Sequence, residues 1–293
     1  AHLTGADNTA VGARTGLLLQ GSANGNSLFG SHCGDAITTG SRITALGFGA
    51  LNSETTGTRA VAVGYSALAV QNKAAESHNT AVGYNAGGAV TDGDHNTIMG
   101  YGAFDDTDDA SFNVAIGSGA LSANSGDNNV AIGYAAGNVN TAASNVFVGT
   151  EAGLNNSTGT SNVMAGTSAG QFVTTGASSV FVGHSAGKGL TSVKTTGANN
   201  TCIGSGAGLT LQGAGNANTF LGSDAGDSTT TGSRNILIGV NANSTSATGN
   251  HAICIGHDIT AASQDFSFGR SSNVVTNDFD ADANWSRSSD ERL

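Results

Sequence analysis

A short phrase, a strand-like run ending in glycine and then alanine, recurs along the whole chain and constrains its fold more than any other feature. Aligned on the central glycine, the copies fall at Gly12, Gly30, Gly47, Gly64, Gly83, Gly100, Gly117, Gly133, Gly149, Gly166, Gly183, Gly204, Gly222, Gly239, Gly256 and Gly269. Sixteen copies at a period close to 17 residues leave no room for anything but one unit repeated, each copy stacked on the last.

The chemistry around that glycine is position-specific. The residue before it is apolar in every copy, and three before it stand Thr, Val or Ile in fourteen. Those two share one face of a strand, because side chains alternate with period two. The residue between them is mostly apolar as well, as in Ala115, Ala131, Phe147, Met164 and Phe181. A strand apolar on both faces calls for burial on both, one face inside the coil and one under a second layer.

Four residues before the glycine comes Asn in eleven copies, among them Asn113, Asn129 and Asn145 ahead of Gly117, Gly133 and Gly149. Another Gly stands seven before it in eleven, and Ala three after it in twelve. Gly and Asn tolerate positive φ, so these positions are expected at the corners of a coil, with the amides forming a ladder from copy to copy. Two or three glycines per repeat, at about 1 kcal/mol each inside a helix, argue against helical repeats. The fold expected is all-β, a parallel β-solenoid of about sixteen coils over residues 1–270, with a connecting segment at 271–293.

Composition agrees with an ordered array. The 293 residues include 45 Gly and no Pro, and 38% are hydrophobic. The formal net charge of −11 and only three Lys argue against nucleic-acid binding. No apolar run reaches the roughly 18 residues of a membrane span. Cys33, Cys202 and Cys254 have neither metal-ligand nor disulfide spacing and are expected to act as small apolar residues. Since the sequence opens without Met and stops at "SSDERL", it is expected to be a fragment or a processed product.

Phrases such as "NTAVGYNAG", "NVAIGSGAL", "NNVAIGYAAG" and "SNVFVGTEAG" resemble the head repeats of YadA-like trimeric adhesins, and similar phrases occur in bacteriophage tail fibres. The resemblance implies a left-handed parallel β-roll and a homotrimer in which three rolls cover one another. Repeats nearer 17 than 14 residues depart from the adhesin pattern and imply a longer outer loop. The segment "NWSRSSDERL" resembles the junction to the self-cleaving S74-type intramolecular chaperone of phage fibres and tailspikes, which opens S-D-x-R-L-K. The likeness implies a scissile bond between Ser288 and Ser289, with Ser289 as nucleophile and Asp290 in the motif; the catalytic remainder is not in this chain.

The function expected is a structural and adhesive section of a phage tail fibre or tailspike. Its setting would be the virion tail, and its partners a host receptor or glycan and other tail proteins. The alternatives are the head of a bacterial trimeric adhesin on a cell surface, and a glycan-cleaving tailspike using Glu76, Glu151 or Asp224. No nucleophilic triad, phosphate loop or paired carboxylates emerge, and neither enzyme activity nor a cofactor is expected. Asp105 to Asp109, "DDTDD", lacks calcium-loop spacing and is expected to be a solvated acidic loop. His184 and His257 share one repeat position several coils apart, too far to bind one ion together. For receptor contact the candidates are Lys188 and Lys194, in the longest insertion, and Tyr65, Tyr84, Tyr101 and Tyr134, each directly after a central glycine.

Overall fold

A computed structural model describes residues 5–278 and the backbone of Ser286–Arg287. Among the described residues there is no helix, and the chain winds as a parallel β-solenoid of about fifteen turns of about 17 residues. The figure of sixteen counted phrases; sixteen phrases bound fifteen turns. Two compact units, Ala1–Ser144 and Asn145–Leu293, are described in turn.

In the first unit each coil contributes one three-residue strand, for example Thr97–Met99, Val114–Ile116 and Val130–Ile132. Neighbours pair in parallel without slip, so Ala115 sits opposite Ala131 and Ile116 opposite Ile132. The second unit repeats the arrangement from Val146–Val148 onward, with Phe147 against Met164 and Met164 against Phe181. It finishes differently: Asp265–Arg270 pairs in parallel with Ile253–His257, and then Asn273–Asp278 turns back antiparallel along it.

The middle residue of each strand is the one that points inward. Ala115, Ala131, Phe147, Met164 and Phe181 are fully buried, as are Ala120, Ala136, Ala152 and Ala169 three after the glycine. The flanking aliphatics point out, and many remain substantially exposed in the single chain: Leu46 at 50% and Met99 at 47% in the first unit, Leu221 at 45% and Ile203 at 37% in the second. One face of the strand therefore fills the coil, and the other lies open.

Core volume is traded within a coil. Phe147, Met164, Phe181 and Phe220 each precede a glycine at Gly153, Gly170, Gly187 and Gly226, whose Cβ would run into that same side chain. Where the strand centre is Ala45, Ala62 or Ala115, the same position is Leu51, Leu68 or Leu121, all fully buried. Close packing is thus reached by two different distributions of the same volume.

The expected amide ladder is present. Asn96 Oδ1 accepts the backbone N–H of Asn113 at 2.9 Å while its Nδ2 donates to Ala110 O at 2.9 Å in the coil above. Asn162, Asn218 and Asn235 repeat the pattern in the second unit, bridging to Gly176, Gly232 and Gly249. Each of these four buried amides ties one coil to the next through both of its polar atoms.

The corners are a correction. The ladder asparagines do not adopt positive φ, and neither do the glycines seven before the centre. Left-handed backbone falls instead at the residue just before the asparagine and at the central glycine, then two and four after it: Phe112, Gly117, Gly119 and Leu121 in one coil, Asn128, Gly133, Ala135 and Gly137 in the next. The preceding glycines answer a different demand, since a Cβ on Gly40 would lie 2.7 Å from the Gly57 carbonyl oxygen one coil up. Close approach of stacked backbone, rather than dihedral freedom, selects glycine there.

Candidate functional site

The residue after the central glycine forms a column at the surface of the first unit. Phe48, Tyr65, Tyr84 and Tyr101 occupy it in four successive coils and stack face to face, with ring centroids 5.3, 5.0 and 5.3 Å apart and planes within 14° of parallel. That spacing is the strand repeat itself, so the column follows from placing an aromatic residue at the same point of each coil. Offset stacking is a favourable geometry for such rings.

Tyr134 does not join the column. The intervening coil carries Ser118, and the backbone keeps step through Gly119 N–H to Tyr101 O at 3.0 Å and Ala135 N–H to Ser118 O at 3.0 Å. An open notch of about 280 Å³ results, with Tyr101 and Tyr134 as its end walls. Along its side runs a second column four residues further on, Asp105, Ser122 and Asn138. Asn138 Nδ2 donates to Gly119 O at 3.0 Å and to Ser122 Oγ at 3.1 Å. Partial burial, with the neighbouring charge of Asp106, holds the Asp105 carboxyl above its ordinary pKa, and hydrogen bonds with Asn85 and Ser122 act against that rise. The acidic segment is therefore only partly a solvated loop, since Asp105, half-buried, and Asp106, exposed, both line the notch while Asp108 and Asp109 are exposed.

Lys188 and Lys194 bracket the longest insertion in the second unit. Lys194 Nζ lies over the Phe172 ring, 4.5 Å from its centroid, and Thr195 rejoins the sheet through bridges to Val173 and Gly213. Lys188 lines a hollow of about 250 Å³ with Phe172, Leu190 and Leu209. The insertion is thereby anchored at both ends, with one of its two cations committed to an aromatic face.

The carboxylates considered for glycan cleavage are each engaged locally. Glu76 pairs with Arg59 and lies 3.4 Å from His78 Nε2. Glu151 accepts from Gln171 Nε2 at 2.6 Å, and Asp224 from Ser223 Oγ at 3.0 Å. Glu151 and Asp224 are four coil steps apart, about 19 Å, beyond the roughly 10 Å span of a hydrolytic carboxylate pair. His184 and His257 are also four steps apart, and His257 Nδ1 lies 2.9 Å from Asp258. Among the described residues no group of three or more His, Cys, Asp or Glu could hold a metal ion. The junction residues Ser288, Ser289 and Asp290 lie outside the described residues.

Sequence reading missed two features. Glu54 is a fully buried acid, its carboxylate accepting from Gly57 N–H at 2.7 Å, Thr55 N–H at 3.0 Å and Gln71 Nε2 at 3.0 Å. Nothing in its local sequence separates it from a surface acid. The notch was also missed, although the aligned column does carry the signal: Ser118 interrupts a run of aromatic residues and Tyr134 resumes it. No protein-family model matches this chain, and no curated protein matches it.

Proposed function

We propose that the chain is the β-roll section of a bacteriophage tail fibre or tailspike, wound left-handed and assembled as a homotrimer, which serves in attachment to the host cell. The observation that carries this reading is the outward row of aliphatic side chains along each unit, including Leu46 and Met99 in the first and Ile203, Leu221 and Ile255 in the second. Contiguous apolar surface of that kind favours association, and a threefold arrangement covers all three copies alike. The "SSDERL" motif supports the viral setting over a bacterial adhesin.

Light scattering on the purified chain tests the assembly. A mass three times that of the chain at micromolar concentration is the expected result, and a stable folded monomer overturns the trimer. Intact mass of the protein taken from virions tests the junction: a C-terminus at Ser288 is expected, and readthrough into a stalk and membrane anchor would favour the adhesin.

A further inference from the structure

We infer that the notch between Tyr101 and Tyr134 is a binding site for one neutral hexose ring of a glycan, gripped between the two tyrosine faces and hydrogen-bonded along its edge by Asp105, Asp106 and Asn138. Stacked neighbours in this column stand 5.0 to 5.3 Å apart. Skipping one coil opens about 10 Å between the end rings, the room that one further ring would occupy. Ser118, half-buried at the base of the gap, is too small to fill it.

The unfilled place shows in the exposure of the rings. Tyr65 and Tyr84, with a ring on either side, are 48% and 51% exposed, whereas Tyr101 and Tyr134 are 66% and 59%. The second column turns polar over the coils of the gap. Beside Tyr65 and Tyr84 the second column holds Ala69 and Gly88, and at the gap it becomes Asp105, Ser122 and Asn138; it is polar again at Asp35 and Asn52, where no gap stands between rings. Aromatic end walls and polar side wall thus coincide at one point of the unit.

The ligand class follows from that pairing. A pyranose offers C–H faces to the rings and a rim of hydroxyl donors to the carboxylates; with its amide nitrogen engaged, Asn138 meets the ligand through Oδ1. An aromatic side chain would satisfy the rings but bring no donor to the carboxylates of the side wall. An acidic sugar would set its own carboxylate against Asp105 and Asp106. A single ring held on two faces is a weak ligand, on the order of millimolar, as isolated sites of this size are.

This deepens the attachment reading by naming a ligand class, while the notch itself lies within one chain. Saturation-transfer NMR on the full chain, with the methyl glycosides of glucose, galactose, N-acetylglucosamine and glucuronic acid at about 20 mM, tests it. Saturation of ring C–H protons in at least one neutral glycoside is expected, with none in the glucuronide. Ser118→Tyr, which completes the column, should abolish the signal, and the exposed substitution Tyr134→Ala should weaken it at least tenfold, each at an unchanged melting temperature. Silence from all three neutral glycosides, a signal that survives both substitutions, or saturation of N-acetyltyrosinamide in their place overturns the inference. Oligomeric state measured on the same samples separates the two readings: a silent trimer sinks only the sugar site, and a responding monomer sinks only the trimer.

Discussion

The backbone N–H of Asn129 donates to Oδ1 of Asn113 at 2.8 Å, and Asn129 Nδ2 donates onward to Ala142 O at 2.8 Å. A buried asparagine thus donates to the coil below through its backbone and to the coil above through its side chain, in a place water does not reach. Replacing Asn96 by Leu strands the N–H of Asn113 and the carbonyl of Ala110 together. Two unsatisfied buried groups cost about 2 to 4 kcal/mol, to be seen as an earlier midpoint in urea denaturation.

Left-handed backbone at ordinary residues leaves stability to be gained. Ala217 has φ of 53° with an exposed side chain. Ala217→Gly relieves a left-handed strain of about 1 to 2 kcal/mol, less the added freedom of the unfolded chain, so a net rise of up to about 1 kcal/mol is expected. Gly149→Ala should do the reverse and by more, because its φ is 130° and a Cβ there lies 2.7 Å from the Gly166 carbonyl. Thermal melts of the two variants check both signs.

The exchange of volume between strand centre and following glycine predicts a rescue. Phe147→Ala alone opens a cavity worth about 3 to 5 kcal/mol. Adding Gly153→Leu reproduces the combination already present at Ala62 with Leu68 and should return a substantial part of that loss. A double-mutant cycle reads the coupling, which will be absent if the two positions are independent.

In the proposed homotrimer, two aspartates placed on the open face should separate the copies without unfolding them. Ile203→Asp with Leu221→Asp puts carboxylates where aliphatic residues stand 37% and 45% exposed in the single chain. Sedimentation is expected to shift from trimer to monomer while the far-ultraviolet spectrum stays unchanged.

Acid should loosen the first unit in a defined direction. Asp94 accepts from Lys73 Nζ at 2.6 Å, and that bond lowers its pKa beneath the ordinary 3.8. A carboxylate depressed on folding contributes stability that is complete above its unfolded pKa and is lost as pH falls through the lower, folded value. Lys73→Met removes that contribution, so the gap in melting temperature between wild type and variant should close as pH drops below about 4.

Strand, period and coil were legible in the residues because backbone stacking tolerates so little variation: the central glycine, whose place faces the backbone of the next coil, stands in all sixteen copies. The inward face was not, since Ala131 and its neighbours Val130 and Ile132 are all apolar and only the curvature of the coil separates them. Corner geometry was hidden for a related reason. Glycine chosen for close approach, as at Gly40, reads the same as glycine chosen for its dihedral, while Phe112 and Ala217 carry left-handed backbone with no sign in their side chains. The notch needed a comparison between copies, because it consists of the one coil whose corner is smaller than those around it.

The reversal at the end of the second unit has a consequence for what can be added at that end. A row of parallel strands exposes an edge that invites another copy of the same phrase, in register and without limit. Turning Asn273–Asp278 back along Asp265–Arg270 changes the direction of that edge, and Ser286–Arg287 occupies part of it. At that end of the second unit a further copy of the phrase therefore meets an antiparallel edge and cannot continue the parallel stack in register.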